Sequence, residues 1–194
     1  MEFTLHYRGP LKAASTRNKR KDHKHCLRRH FHNQLKELWK LPQLSEFDNA
    51  LAIPEPTMAE ESRTLLRHVG QYHFAPLVGS YFALVASLEV IMLRPEPEGW
   101  IFQRSGDIDN RLKTLLDALK APNEPAALPD NLPPPAPEET PFFCLLEDDS
   151  FITNVDIRTA HWLEPEAQDS DEVVLLLRIR TKATRVTWGN MGLA

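Results

Sequence analysis

Asp107 and Asp109 stand two positions apart, followed at once by Asn110 and three residues later by Lys113. In extended backbone, residues i and i+2 share a face, whereas within a continuous helix they point in widely different directions. An Asp-x-Asp placed where an extended segment enters a helix therefore aims both carboxylates at one point. Hard divalent cations take such oxygen ligands, and Mg²⁺ typically binds one or two carboxylates plus waters at roughly 2.0–2.1 Å. A capping reading stands beside this one. Asp107 is a good N-cap, and Asp109 in a first turn suits the positive end of the helix dipole.

Two further features bear on the choice. Lys113 follows Asp109 by four residues, so both lie on one helix face, opposite the leucines at 112, 115, 116 and 119. Taken alone, that spacing also describes an exposed ion pair contributing only about 0.3–0.5 kcal/mol. The triplet Glu147-Asp148-Asp149 comes directly after the apolar run Phe142–Leu146. Three adjacent carboxylates repel one another unless water, a cation or basic groups compensate them. Carboxylates beside a lysine are the groups that metal-assisted phosphodiester cleavage requires.

The elements that must position these residues are legible in outline. Glu2–Arg8 alternates apolar and polar residues and predicts a half-buried strand, closed by Gly9-Pro10. A polar basic loop leads to a helix from about Lys24 to Lys40, with Leu27, Phe31, Leu35, Leu38 and Trp39 at helical spacing. Leu41-Pro42 stops it. Pro54 and Pro56 mark a connector, and Thr57-Met58-Ala59-Glu60 has the form of a capping box opening a short helix towards Val69-Gly70. A long strand is expected around Tyr81–Leu93, with Arg94–Gly99 breaking it. Ile108–Lys120 predicts a helix. Residues 121–141, rich in proline and alanine, read as an exposed, mobile insertion. Thr153–Trp162 and Glu172–Thr181 are the closing strands, with Trp188 available to anchor the tail. The expected fold is one α+β domain over residues 1–194, a mixed sheet with helices on one side.

The 194 residues carry a net charge of −4, unevenly spread. Residues 1–40 hold eleven lysines and arginines against three carboxylates, a net of +8, which leaves −12 on the rest. A basic arm on an acidic body is expected of a nucleic-acid binder, although a solvated face or an acidic partner accounts for it equally. No apolar run approaches the roughly 20 residues that span a bilayer. The N-terminus lacks the layout of a secretory signal, and Cys26 and Cys144 form neither a disulfide framework nor a CxxC pair. A reducing, cytoplasmic setting is expected. His23, Cys26 and His30 have helical spacing that raises zinc, but a closed structural site wants four ligands.

The run Gly106-Asp107-Ile108-Asp109-Asn110-Arg111-Leu112-Lys113, continued by Leu116-Asp117-Ala118-Leu119 and later by Leu146-Glu147-Asp148-Asp149-Ser150, resembles the RusA family of Holliday junction resolvases. The match is continuous over residues 107–119 and resumes at 146–150. The resemblance implies a RusA-like fold and a homodimeric, Mg²⁺-dependent endonuclease on branched DNA, with Mn²⁺ as a substitute ion. It implies Asp107, Asp109 and Asp149 as catalytic metal ligands, Asp148 as a further ligand, and Lys113 stabilising charge at the phosphorus or positioning the attacking water. Arg17, Asn18, Lys19 and Arg20 resemble the family's early basic loop, and with Lys21, Lys24 and Arg28 they are the expected DNA contacts. The connection between the motif helix and Asp148-Asp149 is longer than is usual in the family. Two alternatives are a non-catalytic binder of branched DNA and an interaction module presenting Pro133–Pro137 as a polyproline ligand.

Overall fold

The computed structural model describes residues 1–14, 20–52, 65–95, 108–164, 171–187 and 190–193. The expected capping box at 57–60, Trp188, and the site residues Asp107, Arg17, Asn18 and Lys19 lie outside them.

Apolar alternation builds the larger of two sheets. Strand β1 (Glu2–Pro10) buries Leu5 and Tyr7 and runs antiparallel to β7 (Glu172–Ala183), which buries Val173, Leu175, Leu177 and Ile179. Strand β4 (Leu84–Arg94) buries every second residue; it lies antiparallel to β7 and parallel to β6 (Ile152–His161). The order is β1-β7-β4-β6. A second sheet, β2-β3-β5, joins β2 (Arg67–Val69) antiparallel to β3 (Tyr72–Val78), and β3 parallel to β5 (Phe142–Leu146). The fold is α+β with mixed sheets, as expected, but the sheet is divided in two.

Three boundaries differ from the sequence expectation for identifiable reasons. The helix expected to reach Val69 gives way to β2, because Gly70, at φ +63°, permits a two-residue turn that pairs Val69 with Tyr72. The long strand begins at Leu84 rather than Tyr81, since Gly79–Ala83 form a turn and Ala83 has φ +51°. The third concerns residues 121–141, which are laid against the body instead of standing free.

Helix α1 (Lys21–Leu38) places Leu27, Phe31 and Leu35 in the main core, and a short α2 (Pro42–Ser45) follows it. Helix α3 (Ile108–Leu119) adds Leu115, Ala118 and Leu119. Its Leu112 and Leu116 are half-buried. The small sheet turns Ala75, Leu77, Phe143 and Leu145 into that same core. Its other face carries Tyr72, Phe74, Phe142 and Cys144, covered by Ala121, Leu128 and Leu132 of the proline-rich segment. This is why all five residues of β5 are buried. A strand covered on both faces reads as a continuous apolar run.

Polar groups fix the covering segment. Arg29 on α1 grips Glu139 through two donors, at 2.6 and 3.3 Å, and the Tyr72 hydroxyl donates to the Pro133 carbonyl at 3.1 Å. Phe143 N–H donates to His32 Nδ1, so His32 carries its proton on Nε2, which meets the Glu138 carbonyl at 3.1 Å. With the Pro133 carbonyl engaged and Glu138 and Glu139 clamped, the segment is laid against the domain as a wall that leaves Pro133, Pro134 and Pro137 exposed.

His25 is buried beside the rings of Tyr72 and Phe142, and neither ring nitrogen has a hydrogen-bond partner among the described residues. Burial, helped by Arg28 and Arg29, pushes its pKa down from 6.5 to about 4. The folded state keeps it neutral, whereas the unfolded chain protonates it near 6.5. Its contribution to stability is therefore complete above pH 6.5 and lost as pH falls towards 4. Urea midpoints measured across that range should fall with pH, and the slope should be shallower in His25→Phe. Leu128→Ala should lower the unfolding free energy by about 2–5 kcal/mol through the void left over Phe74 and Phe142. A midpoint unchanged from wild type would mean the segment does not seal that face.

Candidate functional site

Helix α3 carries the motif, and buried guanidinium groups fasten it near both ends. Arg111 is fully buried; Nη1 donates to the Leu11 carbonyl at 2.5 Å and Nη2 to the Asp171 carboxylate at 2.8 Å. These contacts tie the second half-turn of α3 to the chain leaving β1 and the chain entering β7. At the other end Arg28 of α1 donates to the carbonyls of Asp117 at 2.7 Å and Lys120 at 3.3 Å. A cation suits these last carbonyls of a helix. Burial lowers the Arg28 pKa to about 10, so it stays charged at neutral pH. The expectation of Arg28 as an exposed DNA contact is thereby corrected: it is 3% exposed and faces inward, because its position on α1 is turned towards α3.

Asp109 and Asn110 are exposed in the first turn of α3, and Lys113 is exposed one turn on. Asn110, Lys113, Asp117 and Lys120 follow at intervals of three and four, so they form one stripe. That stripe faces the start of α1, and between them lies a cleft of about 500 Å³ also lined by Lys21, Lys24 and Arg28. Ala121, Pro122, Ala126 and Ala127 close its far side. Within it Lys24 pairs with Asp117 at 2.7 Å, and Lys21 with the exposed Asp130 at 2.6 Å. Arg20, at the start of α1, donates to the Ala13 carbonyl at 3.4 Å.

The carboxylate triplet separates in three directions. Glu147 accepts from Arg67 at 2.9 Å and from the Ser80 N–H and hydroxyl at 2.6 and 2.8 Å. Gly79 is obligatory there, since an added Cβ would lie 2.3 Å from the Glu147 Oε2. Asp148 caps the following 3₁₀ turn by accepting from Ser150 N–H at 3.0 Å, which holds its carboxyl below the usual range. Asp149 meets Lys120 at 3.0 Å. Basic groups and N–H donors thus relieve the repulsion that the sequence raised.

This arrangement brings some predicted residues together and not others. Two carboxylates sharing one Mg²⁺ stand within about 4 Å of each other, twice the usual ligand distance. Asp109 and Lys120 are separated by eleven residues, an axial rise of roughly 16 Å. Asp149 is held by Lys120, whose amine also lies 3.6 Å from Asp117. Asp149 is thus held beside the C-terminal part of α3, whereas Asp109 lies in its first turn. Among the described residues, no three histidine, cysteine, aspartate or glutamate side chains are grouped to hold a metal. Carboxylate oxygens remain the right chemistry for Mg²⁺, and Asp109 has only Asp107, outside the described residues, as its motif partner. The zinc reading finds no geometry either. His23 Nε2 accepts from Lys12 N–H and His30 meets the His6 carbonyl, while Cys26 is exposed.

Sequence reasoning missed Lys120, Asp117, Arg111 and the Glu147 clamp. The first two were accessible from the helical spacing that starts at Asn110; the others depend on residues far away in the chain. No helix among the described residues is long and apolar enough to cross a membrane. No protein-family model, curated protein or solved structure matches the chain.

Arg111→Met should lower the unfolding free energy by on the order of 3 kcal/mol, because it strips a donor from Asp171 and from the Leu11 carbonyl. Arg111→Lys should recover little of this, since one ammonium cannot reproduce the planar fork. Denaturant titrations of the two variants check both statements; a neutral Arg111→Met would remove Arg111 as an anchor of α3.

Proposed function

We propose that this chain is a Mg²⁺-dependent endonuclease acting on branched DNA, related in chemistry to the RusA family that its motif resembles. One observation carries the reading. Two features separated by some 80 residues in the sequence, the basic arm and the Asn110–Lys113 part of the motif, line one cleft: Lys21 and Lys24 face Asn110 and Lys113 across it, with Asp109 in the turn just before. Clustered cations of this kind bind phosphate backbones without reading sequence.

In this reading DNA lies along the basic stripe of α3, with the reacting phosphate at its N-terminal end. Asp107 and Asp109 would hold the cation there, and the bound ion would offset charge on the phosphate and acidify a water. Lys113, exposed one turn from Asp109, presents an ammonium group to the negative charge that grows on the phosphoryl oxygens. Asn110, on the stripe between them, orients the phosphate or a neighbouring carboxylate. Asp149 takes no part as a ligand. It keeps Lys120 in the stripe. Following the resemblance, the active unit is a homodimer nicking two strands.

A second reading, a branched-DNA binder without catalysis, is favoured by the pairing of Asp149 with Lys120 at the other end of α3 from Asp109. Incubation of the protein with labelled four-way junction and linear duplex, with Mg²⁺ or EDTA, separates the two. The nuclease reading expects cleavage that needs the metal and falls at least about 100-fold in Asp109→Asn, with junction binding retained. Asp149→Asn should cleave within a few-fold of wild type. Tight binding with no cleavage under any metal condition would leave only the binder, and cleavage unaffected by Asp109→Asn would remove the metal assignment.

A further inference from the structure

We propose that the deep part of the α1–α3 cleft is a seat for one nucleotide, its phosphate held by Lys21, Lys24 and Lys120 above Arg28, and its sugar and base against the alanine-rich wall. This deepens the nuclease reading, and rests on it for the identity of the strand; capture of a phosphate does not depend on cleavage.

The argument begins with an incomplete buried cation. Arg28 lines the cleft and is 3% exposed. Its Nε and Nη2 reach carbonyls of α3, but Nη1 has no hydrogen-bond partner among the described residues. The Asp117 charge acts on Arg28 from nearby, but the hydrogen bonds of Arg28 go to carbonyls. A buried guanidinium with an unpartnered amino group favours further negative charge nearby. The first turn of α1 points the same way. It begins at Lys21, and its N-cap residue Arg20, at φ 54°, supplies no side-chain cap, so the positive end of an 18-residue helix opens beside Lys21 and Lys24.

The existing pairs do not block a ligand. The partner of Lys21, Asp130, has a side chain 83% exposed, and that of Lys120, Asp149, is 51% exposed. Such pairs contribute little and exchange readily. Either lysine can turn to a phosphate while its aspartate returns to water. Asp117 stays inside and keeps Lys24 in place.

Size and surface select a nucleotide over a bare ion. About 500 Å³ is far more than phosphate needs and falls in the range of small-molecule sites. The wall formed by Ala121, Pro122, Ala126 and Ala127 offers apolar contact, with the Asn123 amide and the Glu124 carboxylate beside it. It suits a sugar or the face of a base.

The test uses the ¹⁵N-labelled full chain in EDTA, titrated separately with inorganic phosphate, with dAMP, and with a single-stranded oligonucleotide bearing hydroxyls at both ends. Saturable shifts at Lys24, Asn110 and residues 121–127 are expected with dAMP, weaker ones with inorganic phosphate. Shifts with the oligonucleotide assign the seat to internal phosphodiesters; shifts with dAMP alone assign it to a terminal phosphate. The double variant Lys21→Gln, Lys24→Gln should bind roughly tenfold more weakly. Ala126→Trp, which fills the cleft from its exposed wall and changes no charge, should do the same and serves if the double variant misfolds. No saturable shift with dAMP or oligonucleotide, or affinities unchanged in these variants, would overturn the proposal. Phosphate capture that persists in a protein that cuts no junction would count against the nuclease reading alone.

Discussion

Two buried guanidinium groups decide where α3 lies, and with it the face that the motif presents. Arg111 and Arg28 each surrender hydration that costs several kcal/mol to remove; Arg111 recovers it through a carbonyl and a carboxylate, and Arg28 recovers part of it through two carbonyls of α3 and the residue after it. Because a guanidinium fork accepts only a narrow range of partner positions, the helix is held in rotation as well as in place. The leucines and alanine of its inner side are then committed to the core, and Asn110, Lys113, Asp117 and Lys120 are committed to the cleft.

The proline-rich segment depends on the same frame. It leaves α3 where Ala121 N–H bonds to the Leu146 carbonyl, crosses the outer face of the small sheet, and returns to start β5. Proline suits a segment that packs by side chains and needs few backbone donors. The tie between Arg29 and the largely buried Glu139, and the neutral His32 between two backbone groups, bind it to α1. What enters the sequence as an insertion thus supplies part of the second core and one wall of the cleft.

Charge in the cleft is largely paired. Exposed aspartates neutralise Lys21 and Lys120, Asp117 neutralises Lys24, and the buried Arg28 donates to carbonyls with the Asp117 charge nearby. Electrostatic interactions strengthen as water is excluded, so the buried Arg28 adds to the pull on an anion although it is not itself exposed. The acidic triplet takes its place in this scheme through Asp149 alone; Glu147 is spent on the Gly79–Ser80 turn and Asp148 on a cap.

Residue order by itself determined the elements. Alternation marked β1 and helical spacing marked α1 and α3, because these periods are properties of the local backbone; the closing strands β6 and β7 were legible as well, whereas Phe142–Leu146 read only as an apolar run. Residue order also determined which groups on α3 share a face, and that a basic arm would stand apart from an acidic body. The division into two sheets, the covering role of residues 121–141 and the inward turn of Arg28 were decided only in three dimensions, since each depends on partners about 60 to 110 residues distant. So was the separation of Asp149 from Asp109. Adjacent carboxylates in a chain say nothing of direction, and here every one found a nearer positive or N–H group than a common point.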